Sequence, residues 1–153
     1  MTSLRRDLLE QESPEIHNAA VDVLARTIYG EARGEPVRGQ EAVASVVLNR
    51  VKRANKPGGY WWGSSVSEVC RKEWQFSTWN PSDPNRDKIL AVDRRDPSFR
   101  QALRIARRAI AGTLDDPTGG ATHYHAKATM PNWAEGRVPS AEIGNHKFYN
   151  DVE

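Results

Sequence analysis

A glutamate at position 31 stands where a helix would ordinarily carry an apolar side chain. At about 100° per residue, Leu24 and Glu31 point within about 20° of each other, and Ile28 lies between them on the same stripe. A carboxylate withdrawn from water resists ionisation. Without a cationic partner its pKa rises toward the range where it can give up a proton near neutral pH. Facing a cleft, such a group is suited to protonating a glycosidic oxygen. The plainer alternative is an ion pair with Arg33, Arg38 or another arginine at the helix end. Glu35 follows one turn later on nearly the same face, but between Gly34 and Pro36 it is better placed to favour the first turn of the next helix. Glu31 is the expected acid.

Two further groups of residues carry chemistry. Gln75, Phe76, Ser77, Thr78 and Trp79 bring amide, hydroxyl and indole groups together in an expected loop. Sugars present hydroxyls at their edges and weakly apolar C–H faces, so this mixture suits a glycan cleft. Core packing is the competing reading for Trp74 and Trp79. His123, Tyr124 and His125 alternate, so an extended strand puts both histidines on one face and the tyrosine on the other. With His146 they make three potential zinc ligands, which admits a zinc-dependent amidase as a rival. The motif lacks a clear metal-binding carboxylate, and neither a metal nor another cofactor is expected.

The chain that must position these groups has 153 residues, the size of one domain with one core. It is 38% hydrophobic and 27% charged, and no apolar run approaches the roughly 20 residues of a membrane-spanning helix. Stable membrane insertion is therefore not expected. The single cysteine, Cys70, excludes an internal disulfide. The first residues lack the apolar segment and cleavage site of a secretory signal, so the expected location is a host cytoplasm until release. Net charge is +2, with basic clusters at Arg50, Lys52, Arg53 and Lys56 and at Arg100, Arg104, Arg107 and Arg108. Such a surface favours an anionic polymer. The basic residues form no recognisable nucleic-acid-reading helix, so nucleic acid is not the expected partner.

Residues 1–14 read as a flexible arm before a single domain over 15–153. Ile16, Ala20, Val23, Leu24, Thr27, Ile28 and Ala32 predict an amphipathic helix ending near Gly34. Pro36 suits the first turn of a second, whose apolar face is Val37, Val43, Val47, Leu48 and Val51. Ser65 and Glu68 have capping-box spacing for a short helix. Residues 80–87 are rich enough in turn formers to read as loop. Asp96 and Pro97 open a helix that Gly112 closes. Short strands are expected around 121–126 and 147–149. Trp61 and Trp62 could be exposed, although a loop anchoring itself on the domain is the ordinary explanation. The arginine-rich helix is most simply a solvated face.

The run LARTIYGEARGEPVRGQEAVASVVLNRV (24–51) resembles the opening motif of the spore cortex-lytic, SleB-type cell wall hydrolases. ATHYHA (121–126), Pro131 with Trp133, and IGNHKFY (143–149) resemble its closing motifs. The resemblance implies an α+β, mainly α, lysozyme-like or lytic-transglycosylase-like domain with a small β-and-loop lobe. It implies cleavage between N-acetylmuramic acid and N-acetylglucosamine in bacterial peptidoglycan, with Glu31 as catalytic acid. Gln75, Ser77, Trp79, His123, Tyr124, His125, Trp133 and His146 are the implied substrate-binding residues, the histidines bonding acetamido and hydroxyl groups or orienting Glu31. The middle portion, WQFSTWNPSDPNRDK, looks more like the versions in phages and phage-derived particles, so an endolysin or particle-borne lysin is expected, acting as a monomer. A non-catalytic wall-binding virion protein is the third alternative.

Overall fold

The computed structural model describes residues 13–153. Residues 1–12 of the expected arm lie outside the described residues. The other two, Ser13 and Pro14, open the first helix, α1 (Pro14–Ala32): the Ser13 side chain accepts the Ile16 N–H, and Pro14 holds the first helical position. Val21, Leu24, Ala25 and Ile28 are buried, so the apolar stripe faces the core. Ile16 does not share it. It is 56% exposed, because the first turns of α1 extend beyond the elements packed on the rest.

α2 (Val37–Ala54) follows Pro36 and buries Ala42, Val43, Val46 and Val47. Val37, expected on that face, is 49% exposed at the helix start. α3 (Val66–Arg71) is capped by Ser65, whose hydroxyl accepts the Glu68 N–H. A 3-10 turn follows at Ser77–Trp79.

The expected loop over 80–87 is shorter than its composition suggests, since α4 (Asn85–Ala91) begins inside it. Arg26 of α1 and Arg33, the residue that follows α1, hold this helix by its ends. Arg33 donates to Asn85 Oδ1 at 2.9 Å, and Arg26 donates to the carbonyls of Ile89 and Val92 at the other end. The Asp83 carboxylate accepts the Asn85 N–H at 2.8 Å. Partners distant in sequence thus override weak local propensity.

α5 (Pro97–Ile110) starts at Asp96, whose side chain accepts the Ser98 N–H, and ends before Gly112, where φ is +76°. Its Phe99, Ala102, Leu103, Ile105 and Ala106 pack chiefly against α1. α1 is therefore the central helix, enclosed by α2, α3, α4 and α5.

The chain then forms a three-stranded antiparallel sheet from β1 (His123–Ala126), β2 (Ala141–Ile143) and β3 (His146–Tyr149), in the order β1-β3-β2. β2 was not expected; only three residues long, it carries too little alternation to announce itself. Tyr124 pairs with Phe148 and Ala126 with His146, so Tyr124, His146 and Phe148 share one face. His123, His125 and Tyr149 share the other. The architecture is α+β and mainly α, as the residues and motifs predict, with no helix among the described residues long and apolar enough to cross a membrane.

Candidate active site

Glu31 occupies the last turn of α1. The Tyr124 hydroxyl donates to its Oε1 at 2.6 Å, and the Thr78 backbone N–H donates to Oε2 at 3.1 Å. The exposed Ser77 hydroxyl stands 3.5 Å from Oε2, the outer limit of a hydrogen bond. Among the described residues, none of the ion pairs involves Glu31. Arg33, the cation nearest in sequence, instead donates to Asn85 and the Tyr29 carbonyl and lies over the Tyr29 ring. Burial pushes the Glu31 pKa up, and the three donors pull it back only partly. The negative charge of Asp83 adds to the upward push. The group is poised to hold and release a proton.

Local sequence explains how this pocket closes. Gly30 precedes the acid, and a Cβ there would meet Thr78 Cβ at 2.7 Å and Ile89 Cγ2 at 2.8 Å. Only a glycine lets the 77–79 turn lie against α1, bringing the Thr78 N–H to the carboxylate. Trp79 fastens the same turn, donating its indole N–H to Thr27 Oγ1 at 2.9 Å, one helical turn before Glu31. With that N–H engaged, the ring half-buried and Arg71 over it, Trp79 is an anchor rather than an open stacking face.

Trp74 is the reverse. It is 74% exposed, so the core reading fails, and it takes a left-handed φ of +67° at the third position of a turn closed by the Gln75 N–H on the Lys72 carbonyl. For a bulky side chain that conformation costs about 1–2 kcal/mol.

Gln75 is half-buried, and its Oε1 receives a 3.4 Å contact from the Arg50 guanidinium. Arg50 had read as part of a basic surface; it is 5% exposed. Its Nε donates to the Thr122 carbonyl at 2.7 Å, and it lies over the rings of Trp62 and Phe76. Burial lowers its pKa to about 10, which leaves it charged at neutral pH. The sequence held a signal for this position. Val43, Val47 and Arg50 follow the spacing that marks Glu31 on its own helix. Trp62 is fully buried, donating to the Arg50 carbonyl, whereas Trp61 is 53% exposed.

Of the implied sugar-binding residues on the sheet, Tyr124 and His146 share the Glu31 face. Tyr124 packs against Phe76, Phe148 and His146, and burial holds its hydroxyl neutral and well above its ordinary pKa. His123 and His125 lie on the opposite face in an aromatic cluster with Trp133 and Tyr149. His125 is 7% exposed, with both ring nitrogens in contact with protein, Nδ1 with the Ala126 carbonyl and Nε2 with the Tyr149 hydroxyl. Burial and the charges of Arg50, Arg53 and Arg137 depress His123 to about 4. These three aromatic residues, His123, His125 and Trp133, back the strand that carries Tyr124, and neither histidine orients Glu31.

His146 turns its Nδ1 toward Glu35 at 3.6 Å without a hydrogen bond. Glu35, expected at the helix start, instead accepts both the backbone N–H and the side-chain amide of Asn145, at 2.7 and 3.1 Å. It clamps the β2–β3 turn, where Gly144 leaves room for its carboxylate. With His146 across the sheet from His123 and His125, the three histidines do not converge as zinc ligands would. Among the described residues no group of three or more His, Cys, Asp or Glu is placed to hold a metal ion.

Comparison with known proteins gives the same architecture. The spore cortex-lytic enzyme of Halalkalibacterium halodurans is 33% identical over 133 residues, covering 85% of this chain and 34% of that protein. The spore cortex-lytic enzyme of Bacillus subtilis is 32% identical over 135 residues, 86% of this chain and 37% of its own. The chain thus spans little more than a third of the length of these relatives. The crystal structure of the catalytic domain of Bacillus cereus SleB superposes with a TM-score of 0.65 at 32% identity, covering 85% of this chain and 88% of that one. The catalytic domain of the germination-specific lytic transglycosylase SleB from Bacillus anthracis gives 0.64 at 30% identity, covering 91% and 97%. The domain is lysozyme-like, as these matches show. A family model described as cell wall hydrolase matches residues 34–149, a stretch that opens three residues after Glu31 and takes in Glu35, Arg50, Tyr124 and His146. With three-quarters of its length inside that match, the chain belongs to the cell wall hydrolase family.

Proposed function

We propose that the protein cleaves the glycan strands of bacterial peptidoglycan at the bond between N-acetylmuramic acid and N-acetylglucosamine, with Glu31 as general acid. The observation that carries this reading is a half-buried carboxyl group with a raised pKa, held by Tyr124 and Thr78 and free of an ion pair among the described residues. Membership of the cell wall hydrolase family supplies the substrate class.

Glu31 protonates the departing glycosidic oxygen while the muramic acid anomeric carbon gains oxocarbenium character. The proton leaves Oε1 or Oε2, and the Tyr124 and Thr78 donors stabilise the carboxylate that forms. That carboxylate then takes a proton from the nucleophile. An inverting hydrolase needs a second carboxylate about 6.5–9.5 Å away to activate water. Asp83 is the acid whose charge reaches Glu31, and its side chain is bound to the start of α4. One-acid chemistry therefore favours attack by the muramic 6-hydroxyl and a 1,6-anhydro product, the lytic transglycosylase course.

Glu31→Gln keeps the size, its amide oxygen still accepting the Thr78 N–H and its NH2 facing a Tyr124 hydroxyl that can turn to accept, but it removes the acidic proton, so lysis of purified sacculi falls by about 10²–10⁴-fold with folding intact. Mass spectrometry of the released muropeptides reads the course directly. An anhydro end supports transglycosylation, a reducing end hydrolysis; free stem peptides, or binding without release, would overturn the proposal. The resemblance of residues 74–88 to phage versions favours an endolysin or particle-borne lysin.

A further inference from the structure

We propose that Trp74 is a saccharide-stacking platform at the rim of the Glu31 cleft and a determinant of how tightly the glycan strand is held. This rests on the glycan-cleaving reading above. Two independent observations meet at this residue. The residue is 74% exposed, the most exposed large aromatic among the described residues, although transfer of an indole from water is strongly favourable. Its backbone adopts φ +67° at a turn position that glycine or asparagine ordinarily fills. Neither local conformation nor core packing accounts for a tryptophan there. Strain of this kind without compensating burial points to a function for the side chain.

Position supplies the rest. Trp74 stands three residues before Ser77, whose hydroxyl faces Glu31, so its Cα lies within about 10 Å of the Ser77 Cα. The intervening chain is firmly held: Phe76 is buried at 1% exposure and Gln75 is engaged by Arg50. The turn is tied by the Gln75 N–H to the Lys72 carbonyl. An open indole carried on that firmly held backbone can receive the C–H face of a sugar ring a short way along the strand from the bond being cut. Glu73, the preceding residue, also lines a shallow groove of about 430 Å³ with Arg71, Lys72 and Trp61.

The test measures the initial rate of glycan release against sacculus concentration for wild type, Trp74→Gly, Trp74→Ala and Trp74→Phe, with thermal unfolding of each. The expected result is a half-saturating concentration raised about 3- to 10-fold in the Gly and Ala variants, with a much smaller change in the rate at saturation, and recovery of most of the loss in Trp74→Phe. Trp74→Gly should unfold at a temperature no lower than wild type, because it releases the left-handed strain. Half-saturation unchanged in both Gly and Ala variants, or a rate loss tracking a lowered unfolding temperature, would overturn the assignment of Trp74 alone. A wild-type protein that releases no cut glycan would overturn the function reading and this one with it.

Discussion

Glu31 is a carboxyl group whose environment favours the proton, and that bias has consequences beyond catalysis. A carboxyl whose folded pKa lies above the ordinary value of 4.5 binds more protons folded than unfolded. Its ionisation costs stability as pH rises through and above 4.5, so its contribution is most favourable at acid pH. Glu31→Gln should therefore raise the unfolding temperature at pH 7 relative to wild type and have little effect near pH 4, while lysis collapses; calorimetry at the two pH values checks the sign. Tyr124 acts in the opposite direction, since its hydroxyl favours the charged carboxylate. Tyr124→Phe should raise the Glu31 pKa further and move the alkaline limb of the pH–rate profile upward, read from kcat/KM against pH. The placement of the Glu31 carboxyl on the apolar stripe was legible, because its helix phase follows Leu24 and Ile28. Tyr124 was named through the resemblance, and its specific partner came only with the structure, because no local pattern relates residues 93 positions apart. The clamp from Glu35 to Asn145 was hidden for the same reason.

The helices opened by a capping Ser or Asp were readable, and α4, held by side chains from the first helix and its end, was not. Ser13, Ser65 and Asp96 each bond the first turn of the helix they open, so α1, α3 and α5 began close to where the residues said. α4 has a local partner in Asp83 but also depends on Arg26 and on Arg33 at the end of the first helix, which no reading of residues 80–87 could supply. The contact between α1 and the 77–79 turn is the most demanding junction. Gly30→Ala forces a methyl group into Thr78 and Ile89. A cost of about 1–3 kcal/mol is expected in denaturant unfolding, with activity lost beyond that cost because the Thr78 N–H must retreat from Glu31.

At the scale of the molecule, Arg50 joins the parts. From α2 it reaches the Thr122 carbonyl ahead of β1, the Gln75 amide beside the cleft and the buried rings of Trp62 and Phe76. Arg50→Met keeps much of the volume but leaves the Thr122 carbonyl without that donor and removes the charge. It should cost about 2–4 kcal/mol in chemical unfolding and loosen the cleft wall, visible as faster amide exchange at residues 122–126. The mainly helical plan was legible from periodicity, but the wiring between helices and sheet was not, since a basic residue read one position at a time looks like surface. The bond from Tyr124 to Glu31 has a further consequence for the order in which activity is acquired. During synthesis the helix bearing the acid emerges first, the turn that flanks it some 47 positions later, and the tyrosine only after 93. The acid's final surroundings are therefore completed only once β1 is made, and a chain truncated before β1 should be catalytically silent.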